Sequence, residues 1–477
     1  MHPNPWIEKA KTKEALAVSW FVTNRTSTQW VIQTRFMHRL PYQLATTNDQ
    51  LTSRGGLLAM AQLMQSLPLG QRIDQHFPKP KSNRGYAPSV YLQSFILMHH
   101  EGHFHLDDVR HLTQDSALRN VLGLEVIPQA SSLGAWLRKM GHANDAVAAL
   151  AAVNKAVLQA ALHRRKKVTL DIDATEIVAN KADAQWTYNK NKGYMPMVGH
   201  IAETGQVVSG DFRQGNAAPA KENFEFIQQC QRALPHGCTV GALRIDAAGY
   251  QTRIIQYCDE QKIDYAIRAT MSPRIKKHIS ELNEGDWQPL VKRHGSNSGH
   301  RHTYRMPHCI GDYDKAFYLV IQRQPIRQST LDLGDGSDSE TYSVQGYISR
   351  AIATNRFSLT DSQVIHWYNQ RAENSENRIK ELKLDFGGDP LPCSAFKANA
   401  LYFRIAALSY NLFALMRQLL PEQLASHRAT TIRWRLYGMA AKVVRTGCQL
   451  WVKLQDANRH LLDQVLAALW RFEPSPL

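Results

Sequence analysis

The stretch KVTLDIDAT, Lys167 to Thr175, follows a basic run (His163, Arg164, Arg165, Lys166) and carries two acids inside a β-run. Side chains alternate faces along a strand, so Asp171 and Asp173 share one face while Leu170, Ile172 and Ala174 share the other. Burying carboxylates is costly unless they are paired or bind a cation. A strand otherwise built of Val, Leu and Ile therefore carries two acids either as an edge strand with its acidic face in water or as part of a site.

Working downstream, MPMVGHIA and QVVSGDFR flank Glu203, Thr204 and Gly205 and read as a β-hairpin. A helix follows between Pro219 and the Pro235/Gly237 pair, with Phe224, Ile227 and Leu234 on one side. TVGALRI reads as a strand ending at Asp246, QTRIIQYCDEQK as a helix and IDYAIRA as another strand. The resulting order, β-β-β-α-β-α-β, predicts an α/β fold with an RNase H-like core, a mixed sheet flanked by helices. One acid lies on its first strand and another at the end of its fourth.

The segments around this core set the expected domain organisation. Residues 1–50 show no clear period and are left as an N-terminal arm. Residues 51–162 predict a helical DNA-binding domain, from GGLLAMAQLMQSL and SVYLQSFILMHH at helical spacing. The first part of the core runs over 163–270, and a β-rich insertion over 271–344, where aromatic runs (AFYLVIQR, TYSVQGYI) and a Gly/Asp/Ser loop replace the earlier pattern. The core resumes over 345–420, where Thr360 or Asp361 can cap SQVIHWYNQR and ENRIKELK follows. Residues 421–477 read as a basic helical tail.

Composition narrows the function classes. The net charge of +16 and pI near 9.5 suit a polyanion-binding surface that displaces condensed counterions, and nucleic acid is the favoured partner. The N-terminal residues have no apolar core of a signal peptide, and the apolar stretch from Ala398 to Met416 is interrupted by Arg404, Ser409 and Asn411. A buried core helix and a cytoplasmic protein with no membrane partner are expected. The six cysteines are too widely spaced for metal pairs and read as reduced thiols. HHEGHFH, His99 to His105, does not spell HExxH and has no nearby His or Cys group to complete a tetrahedral set. Helix-end histidines facing solvent or DNA are expected there.

If the strand acids hold metal, a third carboxylate is needed, and Glu376 in SENRIKELK is the candidate, with Lys383 seven residues on and on nearly the same helix face. The plainer alternative is a surface helix of ordinary ion pairs. At these residues the chain resembles the DDE transposases of bacterial insertion sequences, most closely insertion-sequence family 1380, with its Tyr, Arg, Glu, Lys signature. The resemblance runs in order through RGGL, GYAPSVYLQS, LDIDAT, GYMPMVGH, DFRQGNAAP, LRIDAAGY, YNQRAENSENRIKELK and FKANALYFRIAALSYNLFAL.

The resemblance implies Asp173, Asp246 and Glu376 as catalytic residues and metal ligands, with Asp171 the adjacent alternative to Asp173 for the first aspartate, or an additional acid. It implies Tyr368, Arg371, Lys383 and Arg213 as DNA-contacting residues, and two Mg²⁺ ions (or Mn²⁺) as cofactors. The implied partner is double-stranded DNA, both terminal inverted repeats and target, held by a homodimer in the synaptic complex. The implied reaction is cleavage at the element ends and joining of the 3′-hydroxyl to target DNA, in the bacterial nucleoid. Two other readings stay open: a decayed or repurposed DNA-binding protein without catalysis, and a structure-selective nuclease on the same core. One departure bears on the site: four residues separate Arg371 from Glu376 where the signature has three. A five-residue step turns an ideal helix by roughly 140° from the starting face, so a break or π-bulge is expected if the two are to meet, with Glu373 and Arg378 as alternatives.

Overall fold

The central sheet explains how a strand can bury acids, because KVTLDIDA becomes an interior strand. The computed structural model describes residues 44–472, apart from 81–84, 144, 294 and 327–339 and the side chains of 373 and 374. Most of the expected N-terminal arm and the Gly334–Ser339 loop lie outside the described residues. Gln50–Leu477 form one contact unit.

A short strand β1 (Gln50–Thr52) precedes the helices Leu58–Ser66, Leu69–His76, Pro88–Glu101, Val109–Gln114, Ser116–Leu122, Ala130–Gly141 and Ala146–Leu162. Pro88 sits in the first turn of its helix, where its missing N–H costs nothing, and Gly102, at φ 85°, ends that helix in the left-handed conformation. The core follows as β2 (Lys167–Ala174), a small three-stranded sheet β3 (Ile177–Val178), β4 (Gln185–Trp186) and β5 (Lys192–Tyr194), then β6 (Met197–Ile201) and β7 (Val207–Asp211). After the helix Asn223–Ala233 come β8 (Thr239–Ile245), the helix Thr252–Glu260 and β9 (Asp264–Ala269).

The strands run β7-β6-β2-β8-β9, with β6 antiparallel to both of its neighbours β2 and β7, and β8 and β9 parallel to β2. The five strands expected along the chain, three before helix 223–233 and one on each side of helix Thr252–Glu260 after it, all lie in this one mixed sheet. Helix 223–233 starts later than Pro219 implied: Glu222, at φ 59°, precedes its first residue.

The expected insertion is continuous with this sheet. After a helix Pro273–Glu281, the strands β10 (Gln288–Val291), β11 (Asn297–Ile310), β12 (Tyr313–Pro325), β13 (Tyr342–Val344) and β14 (Tyr347–Thr354) follow. β14 pairs antiparallel with β9, and β12, β11 and β10 continue outward from it. Left bare, β9 would be a core edge presenting unpaired backbone groups, and β14 covers it. TYSVQGYI is a hairpin and not one run, turning at Gln345 and Gly346, both at positive φ as a two-residue primed turn requires.

Helix Asp361–Asp385 is opened by Thr360, whose Oγ1 accepts from the Gln363 N–H while the Gln363 side chain accepts from the Thr360 N–H. Helix Phe396–Leu419 is buried along almost its whole length, as expected of the FKANALYFRIAALSYNLFAL run. It packs on the helices Pro88–Glu101, Ala130–Gly141 and Ala146–Leu162, so the helical N-terminal segment and the sheet share a core. No single helix among the described residues is long and apolar enough to cross a membrane.

Two expectations fail here. His99 and His100 are fully buried, not solvent-facing: His99 bonds Ser409 Oγ and the Tyr402 hydroxyl, and His100 the Tyr437 hydroxyl and the Ser409 carbonyl. Burial, with the charge of Arg433 beside it, lowers His99 to about 3, so it is a neutral core residue. The tail is not all helical. Short helices Glu422–Ala425 and Ala429–Ile432 lead to a hairpin, β15 (Ala441–Thr446) and β16 (Gln449–Lys453), which turns at Gly447 and pairs with β1 before the helix Asp456–Trp470. The alternation in AKVVRT and QLWVK, split by Gly447, was the missed strand signal. All six cysteines are free thiols, four of them buried.

Candidate active site

Register places the acids. β2 and β8 are parallel neighbours in which Asp171 stands opposite Arg244. Two residues further on, the same face carries Asp173 at the end of β2 and Asp246 immediately after β8. The two strands thus make two successive rungs, one an acid with a base and the next an acid with an acid.

The first rung is structural. Asp171 is completely buried and takes two hydrogen bonds from Arg244, Nε to Oδ1 at 2.6 Å and Nη2 to Oδ2 at 2.7 Å. Arg244 is buried as well, and its Nη1 donates to the Trp367 carbonyl at 2.6 Å, which ties the sheet to helix Asp361–Asp385. His200 Nε2 lies 3.7 Å from Asp171 and 3.2 Å from Ser375 Oγ. Burial pushes Asp171 up and the guanidinium pulls it back, while burial and the surrounding arginines hold His200 neutral. Both carboxylate oxygens of Asp171 are engaged by Arg244.

Asp173, of the second rung, faces a cavity of about 270 Å³ lined also by Thr175, Glu376, Lys380, Lys383 and Asp389. Burial raises Asp173 to about 6; Arg371 opposes the shift, and Asp246 and Glu376 add to it as like charges. The structure thus brings together the three sequence-predicted acids. Asp246 is fixed by its own turn, its Oδ1 accepting from the Ala248 N–H at 3.0 Å. Glu376 projects from the exposed edge of its helix.

Helix Asp361–Asp385 runs unbroken through the five-residue step, so no π-bulge resolves the odd spacing. Arg371 instead enters from the buried side of the helix. Its Nη1 sits 3.0 Å from Asp173 Oδ2 and 3.3 Å from the Ile172 carbonyl, with its guanidinium carbon 5.5 Å from the centre of the Tyr368 ring. Glu376 reaches the same acid from the cavity side. A long side chain spans what helix rotation separates. Burial works against the Arg371 charge, but Tyr368, Asp173 and Asp246 outweigh it and hold the guanidinium protonated.

The other expected DNA contacts are distributed unevenly. Lys383 lines the cavity and donates to the Glu176 carbonyl. Tyr368 is buried beside Arg371 and Arg268. Arg213 is buried and committed to Asp211 at 2.6 Å and to the Lys221 carbonyl at 2.9 Å, so its first role is to hold a loop. Arg378 donates to the Ala202 carbonyl, and the Glu373 side chain lies outside the described residues.

Sequence reasoning missed Arg244, although R-x-D in LRID repeats the alternation of D-x-D in LDID. It also missed Glu176, which accepts from Thr187, Asn189 and Asn191 and so holds the turn bearing the exposed Trp186 and Tyr188 beside Lys383. A larger open hollow of about 920 Å³ lies against the start of the same helix, but its one lining acid, Asp361, is already paired with Arg305 at 2.5 Å.

Residues 35–474 match the family model of the transposase DDE domain, group 1. The chain belongs to the DDE transposases. A solved piggyBac transposase synaptic complex with hairpin DNA is similar to this transposase at 10% identity and a TM-score of 0.41, over 88% of this chain and 80% of that one. Among curated proteins, none matches the sequence.

The carboxylates of the transposase suit a hard divalent cation. Asp246 and Glu376 raise the cost of ionising Asp173 as like charges, and a bound cation would relieve that cost.

Proposed function

We propose that the transposase binds the terminal inverted repeats of its element, cleaves each end to free a 3′-hydroxyl and joins that hydroxyl to target DNA, through an RNase H-like core. The observation that carries this reading is that Asp173 and Glu376 line one cavity with Lys380 and Lys383, while Asp246 acts on Asp173 as a neighbouring like charge. Asp173, Asp246 and Glu376 would hold two Mg²⁺ ions, which supply activation of the attacking oxygen and stabilisation of the leaving one.

The chain's own residues do the rest. Arg371 keeps Asp173 ionised and holds it against the sheet. Lys383, anchored on the Glu176 carbonyl, and Lys380 offer positive charge to a phosphate in the cavity. In the first step a water oxygen forms a bond to the end phosphorus and the 3′ oxygen of the element strand leaves. In the second that 3′ oxygen bonds to a target phosphorus and displaces a target 3′ oxygen. Such a reaction goes with a homodimer at paired ends and with a cytoplasmic, nucleoid-associated protein. Mapping of cut sites on a duplex carrying the repeats that flank the reading frame tests the reading. Nicks at the repeat boundary support it, while cuts only at branched junctions support the nuclease reading.

Two smaller effects are expected. Affinity for DNA should fall steeply between low and physiological salt, as counterion release demands. Filter binding that is flat over this range would detach the +16 charge from DNA binding. Cleavage at limiting Mg²⁺ should also fall as pH drops through about 6, because protonated Asp173 is no ligand. Removing Arg371 takes away the charge that lowers this group, so Arg371→Ala should move the midpoint upward. An unchanged pH–rate profile in Arg371→Ala would show that Arg371 does not act through Asp173.

A further inference from the structure

We propose that His103, Asp108 and His111 form a second metal site of the transposase, for a borderline transition-metal ion of the zinc class, separate from the catalytic carboxylates. Ligand atoms of the three side chains all lie within 4.8 Å of one another. The sequence pattern had been set aside for want of a His or Cys to complete it; the fold supplies a carboxylate and a more distant histidine.

The local structure explains the convergence. Gly102 ends helix Pro88–Glu101 in the left-handed conformation and sends His103 back over the next turn. Asp108 closes the single turn Leu106–Asp108, and His111 follows three residues later on helix Val109–Gln114, the spacing that puts two side chains on one helix face. The His103 and His111 rings stack with centroids 4.4 Å apart and planes 12° apart. Asp108 Oδ2 is fixed by the N–H groups of Phe104 at 3.1 Å and His105 at 2.9 Å, with the His105 ring 3.5 Å away. The carboxylate is therefore already oriented without a metal.

Charge is also compatible. Arg54 is compensated by Glu101 at 2.6 Å and Asp115 at 2.9 Å, and Arg433 donates to the carbonyls of His99 and His100. Two imidazoles and one carboxylate are a nitrogen-rich set that favours zinc over Mg²⁺, with the fourth tetrahedral position open to water. The ion would clip the turn between the two helices.

Co²⁺ titration of the chelator-stripped transposase, made without a histidine tag, tests this. Wild type and Asp173→Asn should each develop ligand-field absorption saturating at one equivalent and displaced by Zn²⁺. The His103→Ala/His111→Ala double variant should show none. His111→Gln, at an exposed position, serves if the double variant does not fold, and should weaken Co²⁺ binding at least about tenfold. No bands in wild type, bands that persist in the histidine variants, or bands lost in Asp173→Asn would each overturn the proposal.

Discussion

Asp173→Asn, Asp246→Asn and Glu376→Gln should each leave binding to the element end in place and lower strand cleavage by roughly a hundred- to a thousandfold or more, the scale for removing one charge-stabilising group from a reaction centre. Each change keeps the side-chain volume and removes only a charge. Asp173 is raised to about 6 by burial and by the two other acids, so the amide relieves repulsion and should not unfold the chain. Gel shift and cleavage measured on the same preparations separate binding from chemistry. If all three variants cut at the wild-type rate, the cavity is not the reaction centre. If Glu376→Gln alone cuts normally, the third carboxylate has been assigned to the wrong residue.

The second large effect concerns stability, not chemistry. Arg244→Ala strands the buried Asp171 carboxylate without its guanidinium and should cost about 3–5 kcal/mol, the usual penalty for removing one partner of a buried pair. It also removes the bond to the Trp367 carbonyl that fastens helix Asp361–Asp385 to the sheet. The expected result is a lowered urea midpoint with a large loss of soluble protein. Removing both partners, in Asp171→Leu/Arg244→Met, should recover part of that loss because no charge is left unpaired. Equal stability of Arg244→Ala and wild type would show that Asp171 has another counter-charge. The two neighbouring acids differ in their surroundings: Asp171 is fully buried against Arg244, and Asp173 faces the cavity.

Much of this was legible in the chain. Strand alternation in LDIDA, a hairpin with Gly205 at its turn and the alternation of strand and helix after it were enough for the five core strands and their order along the chain. The rung that separates Asp171 from Asp173 was not, because both acids share a face in sequence and only the parallel register with β8 reveals Arg244 opposite one and Asp246 opposite the other. The spacing of Arg371 and Glu376 misled for a related reason: helix rotation describes Cβ directions, and an arginine side chain reaches well beyond its Cβ. His99 and His100 read as polar helix-end residues, yet Ser409, Tyr402 and Tyr437 satisfy them in the core, partners more than three hundred residues away in sequence. The β15–β16 hairpin was hidden by a basic composition that resembled a solvated helix.

The most direct test of the metal-ligand role is a change of ligand type at the first acid. Asp173→Cys replaces a hard oxygen with a soft sulfur, which holds Mg²⁺ poorly and softer divalent ions better. In a cleavage assay on the flanking repeats, Asp173→Cys should be inactive with Mg²⁺ and regain cutting with Mn²⁺, while Asp171→Cys shows no such switch. Full activity of Asp173→Cys with Mg²⁺ would contradict direct coordination of a metal ion by Asp173.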